Sequence, residues 1–184
     1  MVVSASNYER VALEDPDGQW ELQCGHLRQK PGMTVEHTDS ASTLVAELNA
    51  QLSRREFRVD INGARLRIPN GSFYIPDVVV IPRVYVRRAR EERSRSLEVY
   101  TEPMPLVVGV WSPSTGDYDV ETQLREYRQR GDAEIWLVHP YDRTLTAWRR
   151  QADGSYTETV YREGTVEPVS LPGVRIDLAV LFEL

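Results

Sequence analysis

Two short, uninterrupted apolar runs constrain the fold of this chain more than any other feature. Residues 78–81 read VVVI, and residues 106–111 read LVVGVW. Runs this short and this rich in valine predict strands that are buried on both faces, at the centre of a sheet covered by helices. Both are far shorter than the roughly 20 residues of a membrane-spanning helix, so no membrane association is expected.

The elements around these runs predict layers of helix and sheet. Apolar residues at helical spacing over 41–52 predict a helix capped by Thr38, Asp39 or Ser40. A second helix is predicted from near Asp119 to Gly131. Asn62-Gly63 predicts a hairpin turn between two alternating segments.

This order of elements indicates an α/β fold, with a central mixed sheet flanked by helices and a β-rich C-terminal part. The chain has 184 residues, and we expect residues 1–184 to form a single domain.

Charge and cysteine content narrow the function classes. The net charge of −6 argues weakly against a nucleic-acid-binding domain, which is usually basic. The single cysteine, Cys24, excludes an internal disulfide, and the N-terminus shows no secretory pattern, so we expect a cytoplasmic protein. Lys30 is the only lysine among 22 basic residues, so any chemistry that needs a lysine must use Lys30 or do without one.

One segment is clearly basic. Residues 83–95 contain six arginines and two glutamates. Arg83, Arg87, Arg88 and Arg90 are candidates for contacts to a DNA backbone, because each such contact adds salt-dependent affinity. The alternative is a solvated loop that the acidic remainder of the chain balances.

Asp77 is the most informative single residue. This carboxylate lies inside an apolar run, directly after Pro76. An unpaired buried charge costs several kcal/mol, on the order of the desolvation penalty. Asp77 therefore lies at an exposed strand end, pairs with an arginine, or holds a metal ion.

Four motifs follow one another in a characteristic order. They are Pro76-Asp77, the stretch LVVGVWSPST at 106–115, the helix that runs to Tyr127, and EIWLVHP at 134–140. This order resembles the Uma2 family of restriction-endonuclease-like domains, within the PD-(D/E)XK nuclease superfamily. The resemblance extends from Trp20 to Leu178.

The resemblance implies metal-dependent hydrolysis of DNA phosphodiester bonds, with Mg²⁺ or Mn²⁺ as cofactor. Two carboxylates on neighbouring strands would hold the metal, and a lysine on the following helix would assist. The first carboxylate falls at Asp77, but the second falls at Gly109 and the lysine at Gln123. Asp119, one helical turn before Gln123, is a candidate for a migrated metal ligand.

Two functional hypotheses follow. One is an active endonuclease that uses Asp77 and a migrated carboxylate. The other is a degenerate nuclease fold that binds DNA or a protein without cutting, which the glycine and the glutamine favour. A homodimer is expected from the resemblance alone.

Overall fold

The computed structural model describes residues 2–114 and 116–183, and the side chains of residues 116–119 lie outside its described part. The helices are α1 (Ala5–Glu14), α2 (Val35–Gln51), α3 (Arg83–Glu92), α4 (Gly116–Arg130) and α5 (Leu178–Leu181). The strands are β1 (Trp20–Gln23), β2 (His26–Gln29), β3 (Phe57–Ile61), β4 (Arg65–Arg67), β5 (Phe73–Tyr74), β6 (Val78–Pro82), β7 (Val99–Tyr100), β8 (Leu106–Val110), β9 (Glu134–His139), β10 (Thr144–Arg150), β11 (Tyr156–Tyr161), β12 (Thr165–Val166) and β13 (Ile176–Asp177).

A six-stranded mixed sheet forms the centre of the molecule. Its strand order is β11-β10-β9-β8-β6-β3. Strands β8 and β9 run parallel, and the other neighbours run antiparallel. The two apolar runs are therefore adjacent central strands, β6 and β8, as their composition predicts.

Both faces of the central strands are buried. Successive side chains of a strand point to opposite faces, and those of β6 and β8 enter two different cores. One face shares a core with α2 and α5, whose members include Val78, Val80, Val108, Leu44, Leu48 and Leu178. The other face shares a core with α3 and α4, whose members include Val79, Val107, Val86 and Tyr127. Two buried faces explain why β6 and β8 are apolar without alternation.

A second sheet, of order β2-β1-β5-β4-β7, lies against α1. Its hairpin β1–β2 turns at Cys24 and Gly25, whose φ angles are 48° and 80°. Glycine accepts such positive φ values at no steric cost, so Gly25 suits the turn. The hairpin matters for function because β1 carries Glu21 and the residue after β2 is Lys30.

Several local predictions are wrong. Helix α2 begins earlier than predicted, and its capping side chain is Thr34, which accepts a hydrogen bond from His37 N. Asn62-Gly63 does not close a hairpin, because β3 pairs with β6 and β4 pairs with β5 and β7 in the second sheet.

The basic segment is a helix, α3, and not a loop. Val86 is buried on this helix, and Tyr85 and Ala89 pack beside it. These three residues form the apolar face by which the helix packs against the sheet. None of the helices in the described ranges is long and apolar enough to cross a membrane.

Candidate functional site

Asp77 lies at the start of β6 and is buried, with 7% of its surface exposed. Its Oδ1 lies 2.7 Å from Lys30 Nζ and 3.1 Å from His37 Nε2. Its Oδ2 accepts a hydrogen bond of 2.6 Å from the backbone N–H of Val110. Of the alternatives that the sequence left open, pairing is the one observed, but the partners are a lysine and a histidine and not an arginine.

These partners determine the ionisation of Asp77. Burial alone would raise its pKa, but the Lys30 ammonium and His37 outweigh burial and lower the pKa to about 2. Asp77 is therefore a fully ionised carboxylate at neutral pH. His37 is buried in the first turns of α2.

Lys30 reaches this carboxylate from a distant part of the sequence. The backbone N–H of Lys30 donates to Gln19 O, which holds the chain just after β2 in place. Its Nζ donates to Asn62 Oδ1 at 2.5 Å, to Asp77 Oδ1 at 2.7 Å and to Ile75 O at 2.9 Å. An ammonium has three N–H groups, so these three oxygens use all of its donors.

Glu21 is a second buried carboxylate close to this pair. It lies on β1, and its Oε1 accepts a hydrogen bond of 2.8 Å from the backbone N–H of Ile75. Burial raises the pKa of Glu21 to about 7, although the nearby Lys30 ammonium opposes the shift. Ile75 thus contacts both side chains through its backbone: its N–H donates to Glu21 and its carbonyl accepts from Lys30.

Gly109 and Gln123 lie where the resemblance places the missing carboxylate and lysine. Continuing the β6–β8 register by one pair beyond Val78 and Val108 brings Asp77 opposite Gly109. A Cβ built on Gly109 meets no atom within 4 Å among the described residues, apart from its chain neighbours. The position has room for a side chain but has none.

One pocket joins these positions. It has a cavity volume of about 50 Å³, enough for a few water molecules. Its polar lining comprises Glu21, Arg28, Lys30, Asp77 and Gln123, and its apolar lining includes Ile75, Leu124, Tyr127, Ile135 and Trp148. The structure therefore brings Asp77, Gly109 and Gln123 together around a single cavity.

The residues of this pocket do not fit the two-carboxylate metal site that the family implies. Both oxygens of Asp77 already accept hydrogen bonds, and Gly109 has no side chain that could supply the second carboxylate. Within the described ranges, no group of three or more His, Cys, Asp or Glu side chains could hold a metal ion. Asp119 belongs to α4, but its side chain lies outside the described part of the structure.

The candidate DNA-binding arginines lie on α3, away from this pocket. Asp77 precedes β6 and α3 follows it, so the length of the strand, roughly 17 Å at 3.3 Å per residue, separates them. Arg83 Nε donates to Arg54 O, and Arg88 pairs with Glu102 at 2.7 Å.

Arg87 and Arg90 remain exposed on this helix and form no ion pair with the described side chains. Trp111, which follows β8, stacks on His139 with ring centroids 4.4 Å apart. It does not line the pocket, so it does not fill the space beside Gly109.

Sequence reasoning missed Glu21 and His37 and placed Lys30 outside the site. One signal for Lys30 was available, because it is the only lysine of the chain. One signal for Glu21 was its position between the apolar Trp20 and Leu22 on a short strand. Nothing in the sequence shows that these residues meet Asp77, because each contact joins segments far apart in the chain.

Comparisons with known proteins agree with this fold. A solved structure described as "a putative nuclease belonging to DUF820" from Anabaena variabilis matches with a TM-score of 0.74. It is 20% identical to this chain, and the match covers 89% of each chain, so it shows a shared fold. No curated protein matches the chain. The Uma2 family, described as "Putative restriction endonuclease", matches residues 5–180, and the chain therefore belongs to the Uma2 family.

Proposed function

We propose that this chain is a nuclease-fold protein that binds DNA without hydrolysing it by the family's metal-dependent route. One observation carries the proposal: Gly109 and Gln123 line the same pocket as Asp77. The two departures from the family pattern therefore lie in the pocket of Asp77, which supports a loss of the family's chemistry.

The chemistry of these side chains explains the expected loss. A divalent cation in a nuclease polarises the phosphate and lowers the pKa of its bound water, and it needs several oxygen ligands to stay in place. Gly109 offers no side-chain ligand, and Gln123 can form hydrogen bonds but carries no charge to stabilise a developing anion. The remaining carboxylate, Asp77, is neutralised by Lys30.

The exposed arginines of α3 support the DNA-binding part of the proposal. Arg87 and Arg90 carry charges that a phosphate backbone can neutralise. If they do so, the logarithm of the DNA association constant should fall linearly with the logarithm of the salt concentration. The double variant Arg87→Ala, Arg90→Ala should reduce the magnitude of this slope by about 2, because each lost phosphate contact reduces it by about 1. A control double variant, Glu91→Gln with Glu92→Gln, removes charges of the opposite sign from the same helix and should not reduce the slope.

One observation favours a second candidate, an active endonuclease with a rearranged site. Glu21, Asp77 and Lys30 line one pocket, and together they have the residue types of a nuclease centre. In that case Glu21 would replace the missing carboxylate and Lys30 would replace the missing lysine. The engagement of both Asp77 oxygens argues against this candidate.

A plasmid-nicking assay with Mg²⁺ or Mn²⁺ separates the two candidates. It compares the native chain with Asp77→Ala, with Glu21→Gln, and with the double variant Gly109→Glu, Gln123→Lys. We expect no nicking by the native chain. Nicking by the native chain that disappears in both Asp77→Ala and Glu21→Gln would replace our proposal with the rearranged endonuclease.

A further inference from the structure

The ammonium of Lys30 occupies a small cage of oxygen atoms. The cage comprises Asn62 Oδ1, Asp77 Oδ1 and the carbonyl oxygen of Ile75, at 2.5, 2.7 and 2.9 Å from Nζ. The Lys30 side chain is buried, with 8% of its surface exposed. A carboxylate, a side-chain amide oxygen and a backbone carbonyl are the ligand types that hard cations such as Ca²⁺ take in proteins.

The backbone holds this cage in place independently of Lys30. Asn62 has a φ of 52°, in the left-handed region that asparagine tolerates better than most residues. Its backbone N–H donates to the carbonyl of Asp77 at 3.1 Å. Glu21 accepts a hydrogen bond from the N–H of Ile75, which fixes the backbone directly before the carbonyl that accepts from Lys30 Nζ.

We propose that Lys30 is a built-in replacement for a hard divalent cation, so that the native chain excludes such ions from Asp77 and loss of Lys30 uncovers a site for them. Asn62, Asp77 and the Ile75 carbonyl would hold the ion. The inference rests on the proposed function in one respect, namely that the native chain uses no divalent ion at Asp77.

The charge balance of the pocket supports this exchange. Asp77 and Glu21 are two buried carboxylates in the pocket that Lys30 and Arg28 also line. The Lys30 ammonium contacts and balances Asp77, whereas a divalent ion would also stabilise the ionised form of Glu21. Without Lys30, both carboxylates are left without their nearest cation, which is the condition under which a buried site gains most from an external cation.

The carbonyl oxygens in the cage favour Ca²⁺ over Mg²⁺. Ca²⁺ accepts irregular arrangements of carboxylate and carbonyl oxygens, whereas Mg²⁺ demands a near-ideal octahedron and retains its water. We therefore expect the uncovered site to bind Ca²⁺ more tightly than Mg²⁺.

The test measures the midpoint of thermal unfolding against Ca²⁺ and Mg²⁺ concentration, since an ion that binds only the folded state raises the midpoint. The variants are Lys30→Met and Lys30→Gln. The matched control is Arg87→Met, which removes an exposed cation. We expect at least tenfold tighter Ca²⁺ binding in the Lys30 variants than in the native chain or the control, and loss of that gain when Asp77→Asn is added.

Three results would overturn the inference. The first is that both Lys30 variants bind Ca²⁺ no more tightly than Arg87→Met does. The second is that neither Lys30 variant folds at saturating Ca²⁺. The third needs no variant: broadening of the native Ile75 and Val110 amide resonances by Mn²⁺ would show that a divalent ion already enters the site. DNA nicking by the native chain would overturn the proposed function, whereas Ca²⁺ binding by the Lys30 variants is read separately from it.

Discussion

At the scale of single residues, the pocket is a balance between two carboxylates and one lysine. Asp77 is ionised because Lys30 and His37 outweigh its burial, whereas the burial of Glu21 outweighs its attraction to Lys30. The pKa of Asp77 is thus lowered and that of Glu21 raised beside the same ammonium, because of the two carboxylates only Asp77 contacts it directly.

This balance predicts a pH dependence that Glu21 controls. The pKa of Glu21 is about 7 in the folded state and near 4.5 in the unfolded state. The folded state therefore holds the proton more tightly, so the free energy of unfolding should fall as pH rises from 4.5 to 7, by at most about 3 kcal/mol.

Urea denaturation across this pH range measures the effect. Glu21→Gln should abolish the fall, because glutamine can still accept from Ile75 N but does not titrate. Glu91→Gln, which is exposed on α3, is the control and should keep the native slope. An unchanged slope in Glu21→Gln would show that another group causes the pH dependence.

The Lys30–Asp77 pair predicts strong non-additivity. Removal of one partner of a buried pair leaves an uncompensated charge and costs about 3–5 kcal/mol. Lys30→Met and Asp77→Asn should each destabilise the chain by roughly this amount in metal-free buffer. The double variant should cost less than the sum of the two, and additive costs in this double-mutant cycle would show that the contact contributes little.

At the scale of elements, the start of α2 depends on a residue that the sequence pattern did not single out. Thr34 caps the helix by accepting a hydrogen bond from His37 N, the residue that contacts Asp77. The cap therefore links the helix start to the pocket. Thr38, predicted as a cap, lies within the first turns of the helix.

Thr34→Ala should destabilise the protein by about 1 kcal/mol, the usual cost of a lost N-cap. Thr38→Ala, at the position predicted from sequence, should change stability by less than half of that. Tyr141→Phe controls for the hydrogen bond between Tyr141 Oη and Thr34 Oγ1. Equal destabilisation by Thr34→Ala and Thr38→Ala in chemical denaturation would contradict the capping assignment.

At the scale of the whole molecule, Arg130 joins the end of α4 to the second sheet. Its guanidinium pairs with Asp132 at 3.1 Å and donates to the carbonyls of Arg67 and Tyr100 at 2.6 and 3.3 Å. Both partners of the ion pair are almost completely buried. The carbonyls of Arg67 and Tyr100 come from β4 and β7, so one side chain connects strands of the second sheet with α4.

Arg130→Met should destabilise the chain by at least about 3 kcal/mol, because it leaves Asp132 and several carbonyls buried without their donors. Arg125→Met, on the exposed side of the same helix, should cost less than about 0.5 kcal/mol. A cost for Arg130→Met that matches the Arg125→Met value in urea denaturation would show that the second sheet does not depend on this contact.

An element could be predicted from the sequence where neighbouring residues determine it, and could not where contacts between distant segments do. Strands β6 and β8 were readable from the sequence because a short, uninterrupted apolar run is a local signal. The partners of β3 were not, because a turn dipeptide such as Asn62-Gly63 cannot show which strand will pair. Helix α3 was missed because its apolar face, chiefly Val86, is narrow among the four arginines of the helix.

The sequence by itself determined the class of fold, the position of Asp77 at the start of a central strand, and the absence of a carboxylate at 109 and a lysine at 123. These are matters of residue identity and short-range pattern. The tertiary structure decided the charge of the pocket: Lys30 and Glu21 arrive on the β1–β2 hairpin and His37 on α2. Long-range packing brings these groups to Asp77, and ionisation depends on distance and burial, which the order of residues along a chain does not contain.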